Sequence, residues 1–457
     1  MFAHKKHFTN AIVGALVALS IIALVLSLVD IEDVTLPPTV KYGMVFDAGS
    51  SHTSLFVYEW DSDKENDTGV VSQTLSCEVQ GQGISSYAND PPKAGDSLRE
   101  CLDKALKVVP AAKQRHVPAY LGATAGMRLL RYRKAVGPDM NYSSSSPVSP
   151  WQYSPKAHTW VRPEAANILG ALDLGGASTQ ISFMPRSSVI NWNDTSRLTL
   201  YGYNYNIYTH SYLCYGQNEM LKRLAKELIE SFSSTRIDHP CYPKDYNETI
   251  SLSSFHTSPC TNQSDPHLTH GDRNVTLEGR SNASGCLAAI KKLFNFSVCG
   301  QSQDCTFDGV YQPPVSGQFI AFSAFYYNFK FLNLTEGQSL ATVRETIKHF
   351  CTRSWEDVQN PERLPKYCAN ANYILTLLLD AYKFNETSWN TIFFQMKAGR
   401  ADIGWTLGYM LNLTNMIPAE APVRMKGHVP SLWAVAVTFI VLTLALGLAA
   451  LLLLLWV

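Results

Sequence analysis

The sequence predicts a mixed α/β extracellular domain held between two membrane helices, and three observations predict it. A long apolar stretch stands near each end of the chain, and every cysteine and every glycosylation acceptor lies between the two. The interior alternates short strand, turn, strand patterns with amphipathic helical ones. With 457 residues, 46% of them hydrophobic, the chain can form one large or two medium domains.

The first apolar stretch, Phe8 to Val29, runs 22 residues without a charge, long enough to cross a hydrocarbon layer of roughly 30 Å. The second covers Leu432 to Val457. Lys5 and Lys6 precede the first, and Asp30, Glu32 and Asp33 follow it, so the positive-inside bias keeps the amino end in the cytoplasm and sends the rest outside. A cleaved signal peptide is the alternative. Against it, the apolar region exceeds the usual roughly 7 to 15 residues and no small-residue cleavage site precedes the acids. Arg424 and Lys426 lie on the outer side of the second stretch, so topology there rests on the first helix and on glycosylation.

Eleven Asn-x-Ser/Thr acceptors fall between the stretches, at Asn66, Asn141, Asn193, Asn247, Asn262, Asn274, Asn282, Asn295, Asn333, Asn385 and Asn412. Chance alone supplies several, but it seldom supplies so many beside ten cysteines at positions 77, 101, 214, 241, 260, 286, 299, 305, 351 and 368. An even, extracellular set reads as disulfides in an oxidising compartment. Metal binding by cysteine is weaker, since no CxxC pair occurs. Thirty-eight basic against 38 acidic residues leave no electrostatic footprint for nucleic acid.

Along the chain, "YGMVFDAGSSHTSLFVYEW" reads as strand, tight turn, strand, with Met44, Phe46, Leu55 and Val57 alternating. "AGDSLRECLDKALKVVP" predicts a helix ended by Pro110, and "AYLGATAGMRLLR" a strand running through a turn into a helix. "NILGALDLGGASTQISF" repeats the strand, turn, strand pattern. The segment from Tyr132 to Ala166 has no period and reads as an unusually long loop. "NEMLKRLAKELIESF" and "YCANANYILTLLLDAY" predict helices, the second with Ile374, Leu377, Leu378 and Tyr382 on one face. Asp238 to Cys305 reads as stapled surface structure, and "DIGWTLGYMLNLT" as a strand-to-helix turn.

The chemistry lies in the echo between "FDAGSSHTSLFVY" and "LDLGGASTQISF". A glycine turn lets backbone amides approach an anion, and hydroxyls add donors. The aspartate before each turn repels phosphate but holds a divalent cation or its waters. Two such loops facing each other would grip a polyphosphate with a metal between them. No GxxxxGK[ST], GxSxG or HExxH motif is present. His52 reads as a structural or phosphate-facing side chain rather than a metal ligand.

"DAGSSHTSL", "GATAGMRLL", "LDLGGASTQ" and "GWTLGYMLN" resemble four of the five signature blocks of the membrane-bound ectonucleoside triphosphate diphosphohydrolases, the ecto-apyrases, and are similar to the pattern of the family's liver type. The terminal apolar stretches, the ten cysteines and "DGVYQPP" extend the resemblance over nearly the whole chain. It implies an actin-like (ribonuclease-H-like) two-lobed α/β ectodomain, its second lobe stapled by disulfides. The divisions expected are a cytoplasmic 1–7, a span at 8–29, a first lobe at 37–131, an irregular 132–166, a second lobe at 167–398, a return segment at 399–428 and a span at 432–457.

The implied activity is Ca²⁺- or Mg²⁺-dependent hydrolysis of extracellular nucleoside tri- and diphosphates at the plasma membrane, serving purinergic signalling and nucleotide salvage. The partners are the nucleotides, the lipid bilayer and a second copy through the membrane helices. By the resemblance, Asp47 and Asp173 hold the metal through waters. Ser50, Ser51 and His52 form the first phosphate loop, and Gly175, Gly176, Ala177 and Ser178 the second. Thr124 and Ala125 line the terminal-phosphate pocket, Gln180 with Ser178 positions the attacking water, and Tyr327, with Tyr326 beside it, stacks on the base. The family order pairs Cys77 with Cys101, Cys214 with Cys260, Cys241 with Cys286, Cys299 with Cys305, and Cys351 with Cys368.

One departure stands against these matches. The family carries, between "GATAGMRLL" and "LDLGGASTQ", a Glu-Glu-Gly block whose glutamate activates the nucleophilic water, and no Glu-Glu-Gly occurs in this chain. Glu164 is the only glutamate in that interval and a weak substitute, since its neighbours match nothing. The resemblance therefore implies either a weakly active enzyme or a nucleotide-binding glycoprotein of impaired turnover.

Overall fold

The computed structural model describes residues 2–28, 32–35, 39–129, 152–154, 159–161, 168–186, 195–231, 234–261, 273–299, 304–358, 364–420, 424–427 and 430–455. Two units divide the chain: Met1–Thr39 with Ala419–Val457, and Val40–Pro418. The first opens with helix α1 (Phe2–Leu28) and strand β1 (Glu32–Thr35).

In the larger unit, β2 (Val40–Ala48) and β3 (Thr53–Asp61) form an antiparallel hairpin whose last pair, Ala48 and Thr53, brackets residues 49–52. β4 (Ser72–Glu78) adds to β3. Helices α2 (Pro91–Ser97) and α3 (Arg99–Val108) come next, and β5 (Ala119–Ala123) returns parallel to β2, setting Gly122 beside Asp47. The order is β4-β3-β2-β5. Strand alternation sends Leu55 and Val57 to one face, against Cys101 and Ala105, and Tyr58 and Trp60 to the other, against Met410. The single helix expected here is two, parted at Leu98, because Pro91, Pro92, Gly95 and Ser97 make the first piece a poor helix former. β5 ends in α4 (Ala125–Arg128).

The segment read as a loop contains a two-stranded hairpin, β6 (Gln152–Ser154) with β7 (Thr159–Val161). Strands of three residues are too short to show a period of two in sequence.

The second lobe starts by repeating the first. β8 (Gly170–Leu174) and β9 (Ser178–Phe183) pair antiparallel, with Leu174 opposite Thr179 around the turn. β10 (Thr195–Leu200) and β11 (Tyr203–Leu213) extend the sheet beyond β9, and α5 (Gln217–Glu230) comes after them. The cysteine-dense stretch holds a separate three-stranded sheet of β12 (Arg236–His239), β13 (Asn247–Ser251) and β14 (Asn274–Gly279), then α6 (Ala283–Lys291).

β15 (Phe319–Ser323) runs parallel to β8 and feeds α7 (Ala324–Phe331). Helices α8 (Leu340–Phe350), α9 (Trp355–Val358), α10 (Tyr367–Thr376) and α11 (Glu386–Trp389) lead to β16 (Ile392–Phe394), parallel to β15. The full order is β10-β11-β9-β8-β15-β16. Its core is aromatic, with Phe183, Tyr208, Phe319, Phe325, Phe329, Tyr373 and Tyr382 all buried. The expected second helix differs in one respect: after Thr376 it becomes a π-turn over Leu377–Ala381.

A small hairpin, β17 (Lys397–Ala398) and β18 (Ala401–Asp402), precedes α12 (Trp405–Thr414), which returns to the first lobe. There Met410 packs on Trp60, and Thr406 Oγ1 lies 2.8 Å from the Tyr58 hydroxyl. The five disulfides are those the family order implies: 77–101, 214–260, 241–286, 299–305 and 351–368. In the terminal unit β19 (Arg424–Gly427) pairs antiparallel with β1 and leads to α13 (Pro430–Leu455). Ser431–Ala449 of α13 is long and apolar enough to span a bilayer, with a mean hydropathy of 2.4; the apolar part of α1, Asn10–Leu26, is shorter.

Candidate active site

The two echoed sequences are structurally equivalent turns. Asp47 and Asp173 occupy the same place, one residue before the last pair of a hairpin and on a strand flanked by a parallel neighbour. The turns lie against each other: a Cβ added to Gly176 would sit 2.7 Å from Ser50 Oγ and 3.5 Å from Ser51 Oγ. Glycine at 176 therefore sets how closely they approach.

Helix α5 fixes the second turn. Its first amides need acceptors, and they find the turn's carbonyls, with Gln217 N–H donating to Gly175 O and the N–H groups of Asn218 and Glu219 to Gly176 O. Gly216 carries the chain past the turn; a Cβ there would lie 2.3 Å from Ser178 N. The first turn is braced by the segment after β4, where Gly83 N–H donates to Ser51 O and Ile84 N–H to Thr53 Oγ1. Ser51 Oγ and His52 Nδ1 are 3.0 Å apart, and both residues are exposed.

Each aspartate keeps one shielded carboxylate oxygen, Oδ1, without a hydrogen-bond partner. Burial pushes the Asp47 carboxyl up to about 7; the Trp405 indole opposes this and the charge of Asp173 adds to it. Burial raises Asp173 to about 6, opposed by the Ser323 hydroxyl. Trp405 owes its place to Gly122, where a Cβ would fall 1.9 Å from the indole ring. Two buried carboxylates, each with one oxygen unpartnered and with like charge raising the Asp47 carboxyl, fit a hydrated divalent cation. Among the described residues no group of three or more His, Cys, Asp or Glu forms a direct metal cluster.

Beside the second turn lies a cluster of donors and hydroxyls. Gln180 Nε2 donates to Ser178 Oγ at 2.6 Å and to Ser211 Oγ at 2.8 Å. Arg128 Nη2 reaches the same two oxygens, at 3.3 and 3.0 Å. Ser178 and Gln180 share a strand face, and Ser211 stands opposite Gln180 across the ladder. Burial lowers the Arg128 pKa, and among the described residues no carboxylate pairs with it. Thr124 and Ala125 begin α4, the helix that carries Arg128, and Thr124 N–H donates to Ala48 O.

Tyr327 is 57% exposed on α7, while Tyr326 is half-buried and meets it edge to face. Glu164 lies outside the described residues. Arg128, Ser211, Trp405 and Ser323 carried no role in the sequence reading. Arg128 lies within the quoted "GATAGMRLL", so its signal was present; Ser211 sits in no motif and is found only through strand pairing.

The model of the GDA1/CD39 (nucleoside phosphatase) family matches residues 33–139 and 159–426. The chain belongs to this family. Ectonucleoside triphosphate diphosphohydrolase 8 of Gallus gallus is 49% identical, with 98% of each chain covered. The Homo sapiens protein of that name is 44% identical, covering 97% of this chain and 96% of its own. Ectonucleoside triphosphate diphosphohydrolase 2 of Mus musculus is 43% identical over 94% of each.

Family membership makes this an apyrase-type enzyme class, with a membrane helix and disulfides as the structure has them. The GDA1/CD39 match is interrupted at residues 140–158. The Gallus gallus alignment, over 488 residues, is longer than the 457-residue chain, so that relative carries residues this chain lacks. Among solved structures, a nucleoside triphosphate hydrolase from Neospora caninum matches with a TM-score of 0.56 at 13% identity, covering 83% of this chain and 93% of its own. That likeness shows a two-lobed α/β fold.

Proposed function

We propose that this chain is a cell-surface glycoprotein of actin-like fold that binds extracellular nucleoside tri- and diphosphates, ATP, ADP, UTP and UDP among them, with Ca²⁺ or Mg²⁺, and hydrolyses them towards the monophosphate. The observation that carries the reading is the pair of equivalent aspartate-glycine turns in contact at Gly176 and Ser50. In this reading α1 and α13 both anchor the protein in the plasma membrane, the larger unit faces outward, and the activity serves purinergic signalling.

Asp47 and Asp173 would hold the cation through its waters, and the cation supplies charge neutralisation on the polyphosphate. Ser50, Ser51 and His52 take one phosphate group. The Gly175–Ser178 turn, with its Gly175 and Gly176 carbonyls committed to α5 and its Gly175 N–H to Ser178 O, takes the next with the amides of Gly176 to Ser178. Arg128 reaches the same end of the site and balances negative charge on the terminal phosphate, beside Thr124 and Ala125. Gln180, its Nε2 held by Ser178 and Ser211, keeps Oε1 to orient a water. Tyr327 offers an exposed ring for the base.

A second reading, a nucleotide-binding glycoprotein with impaired turnover, is favoured by the absent Glu-Glu-Gly block and by the interrupted family match. Titration calorimetry of the full chain in detergent, with a non-hydrolysable nucleoside triphosphate and Ca²⁺, tests the shared site. Binding lost in both Asp47→Ala and Asp173→Ala supports it, and binding retained in both refutes it. Phosphate release then separates the two readings.

A further inference from the structure

Directly behind the second turn is a relay of hydroxyl groups whose direction the chemistry fixes. Thr179 Oγ1 donates its one proton to the backbone carbonyl of Asp173 at 2.9 Å. The Tyr382 hydroxyl lies 3.1 Å from Thr179 Oγ1. Because a carbonyl cannot donate, the threonine proton is committed, and Tyr382 must donate to Thr179. Both residues are fully buried, and burial keeps the phenol protonated by raising its pKa well above the ordinary value.

Tyr382 follows directly on the π-turn. Its N–H closes the turn on Leu377 O at 2.8 Å, and Gln312 Nε2 holds its carbonyl at 3.1 Å. One extra residue per turn rotates the next stretch of chain by about 100° relative to a continuous α-helix, and in that position the phenol meets Thr179 of β9. The first lobe has no such arrangement among the described residues: its equivalent threonine, Thr53, accepts from Ile84 N–H.

We propose that Tyr382 is a positioning residue for the metal-nucleotide site, fixing the Asp173 peptide through Thr179 and so the aim of its carboxylate and the turn behind it. This rests on the proposed reading of that site, and the test keeps the two apart. Hydrogen exchange of the nucleotide-free full chain in detergent reads the relay alone, and calorimetry with a non-hydrolysable nucleoside triphosphate and Ca²⁺ reads its effect on binding. Tyr382→Phe keeps the ring and should speed exchange of the Gly175–Ser178 amides and raise Kd about threefold to tenfold, the loss expected for one hydrogen bond. Thr179→Val should do the same and serves if the tyrosine variant does not fold.

In an Asp173→Asn background, assayed at concentrations where residual binding is measurable, Tyr382→Phe should have a smaller effect than in the wild type. Equal penalties in both backgrounds would mean a packing role and overturn the proposal, as would unchanged exchange in both relay variants. Wild-type protein that binds no nucleotide with Ca²⁺ overturns the site reading instead, and exchange alone then decides the relay.

Discussion

The two lobes begin alike and end differently. In each, an antiparallel hairpin holds the aspartate-glycine turn and a parallel strand flanks the aspartate, β5 beside β2 and β15 beside β8. Beyond β15 lies β16, and β15 is buried along four of its five residues. Beyond β5 no described strand is paired, and Ala119 and Leu121 are exposed, Leu121 at 45%. Parallel strands normally lie covered on both faces. The part of the first lobe that would match β16 and its helices falls in the interval where the family match is interrupted and the Glu-Glu-Gly block is absent. Both turns are thus built alike, while among the described residues β5 has no strand beyond it and the chain has no Glu-Glu-Gly.

The largest effect should be on turnover. A positioned general base contributes about 10²- to 10⁴-fold, and charge stabilisation at the turns remains. Phosphate release from ATP and ADP by this chain is expected at least about 10²-fold slower than from a full-length relative at equal surface expression. Replacing residues 132–166 by the relative's block should restore it. A steady-state assay decides, and equal rates without the graft would make Glu164→Gln the next variant.

Stability should expose the same asymmetry. Cys77–Cys101 is the one disulfide of the first lobe and ties β4 to α3, whereas four staple the second. Its residues are 24 apart in sequence, a loop whose closure is worth about 3.5 kcal/mol in the chain-entropy model. Cys77→Ala with Cys101→Ala should make the first lobe open first, seen as early proteolysis within 40–129 while the second lobe stays protected. Simultaneous loss of both lobes would show that they unfold as one.

Much of this was legible in sequence because it is local. The echoed turns, the even cysteines, the α5 helix and the strand-to-helix passage at Trp405 each advertise themselves within about a dozen residues. Arg128 meeting Ser178 and Ser211 was not, since strand pairing and helix placement decide it across 83 positions. The π-turn was hidden because Leu377 and Leu378 satisfy ordinary helical spacing as well. The alternation of Met44, Phe46, Leu55 and Val57 showed one apolar face, yet only the return of α12 explains why the other face, with Tyr58 and Trp60, is covered.

The aspartates offer a comparison in pH. Both carboxyls are raised in the fold, to about 7 for Asp47 and about 6 for Asp173, so folding favours their protonated forms. Stability is fully present below the unfolded value near 4 and falls as pH rises through 6 and then 7, by on the order of a few kcal/mol in the metal-free chain. Thermal midpoints in a chelator should therefore drop between pH 5 and 8, Ca²⁺ should reverse the drop, and Asp47→Asn should remove its upper part. A midpoint that rises over this range would contradict the burial of both groups.

The smallest effect separates the two turns by their glycines. Gly49 and Gly175 hold equivalent places, and neither needs a positive φ, so only space distinguishes them. A Cβ at 175 would meet Ser178 O at 3.4 Å, an ordinary contact, whereas a Cβ at 49 would meet His52 O at 2.8 Å. That oxygen is backbone and cannot swing aside, so the first turn must open to admit a methyl group. Gly175→Ala should change stability by less than about 0.5 kcal/mol, or raise it through a less flexible unfolded chain, with nucleotide affinity nearly kept. Gly49→Ala should cost about 1–3 kcal/mol as overpacking does and weaken binding as Ser50 and Ser51 move. Chemical denaturation of the two variants side by side measures the difference, and equal costs would mean that the first turn is as roomy as the second.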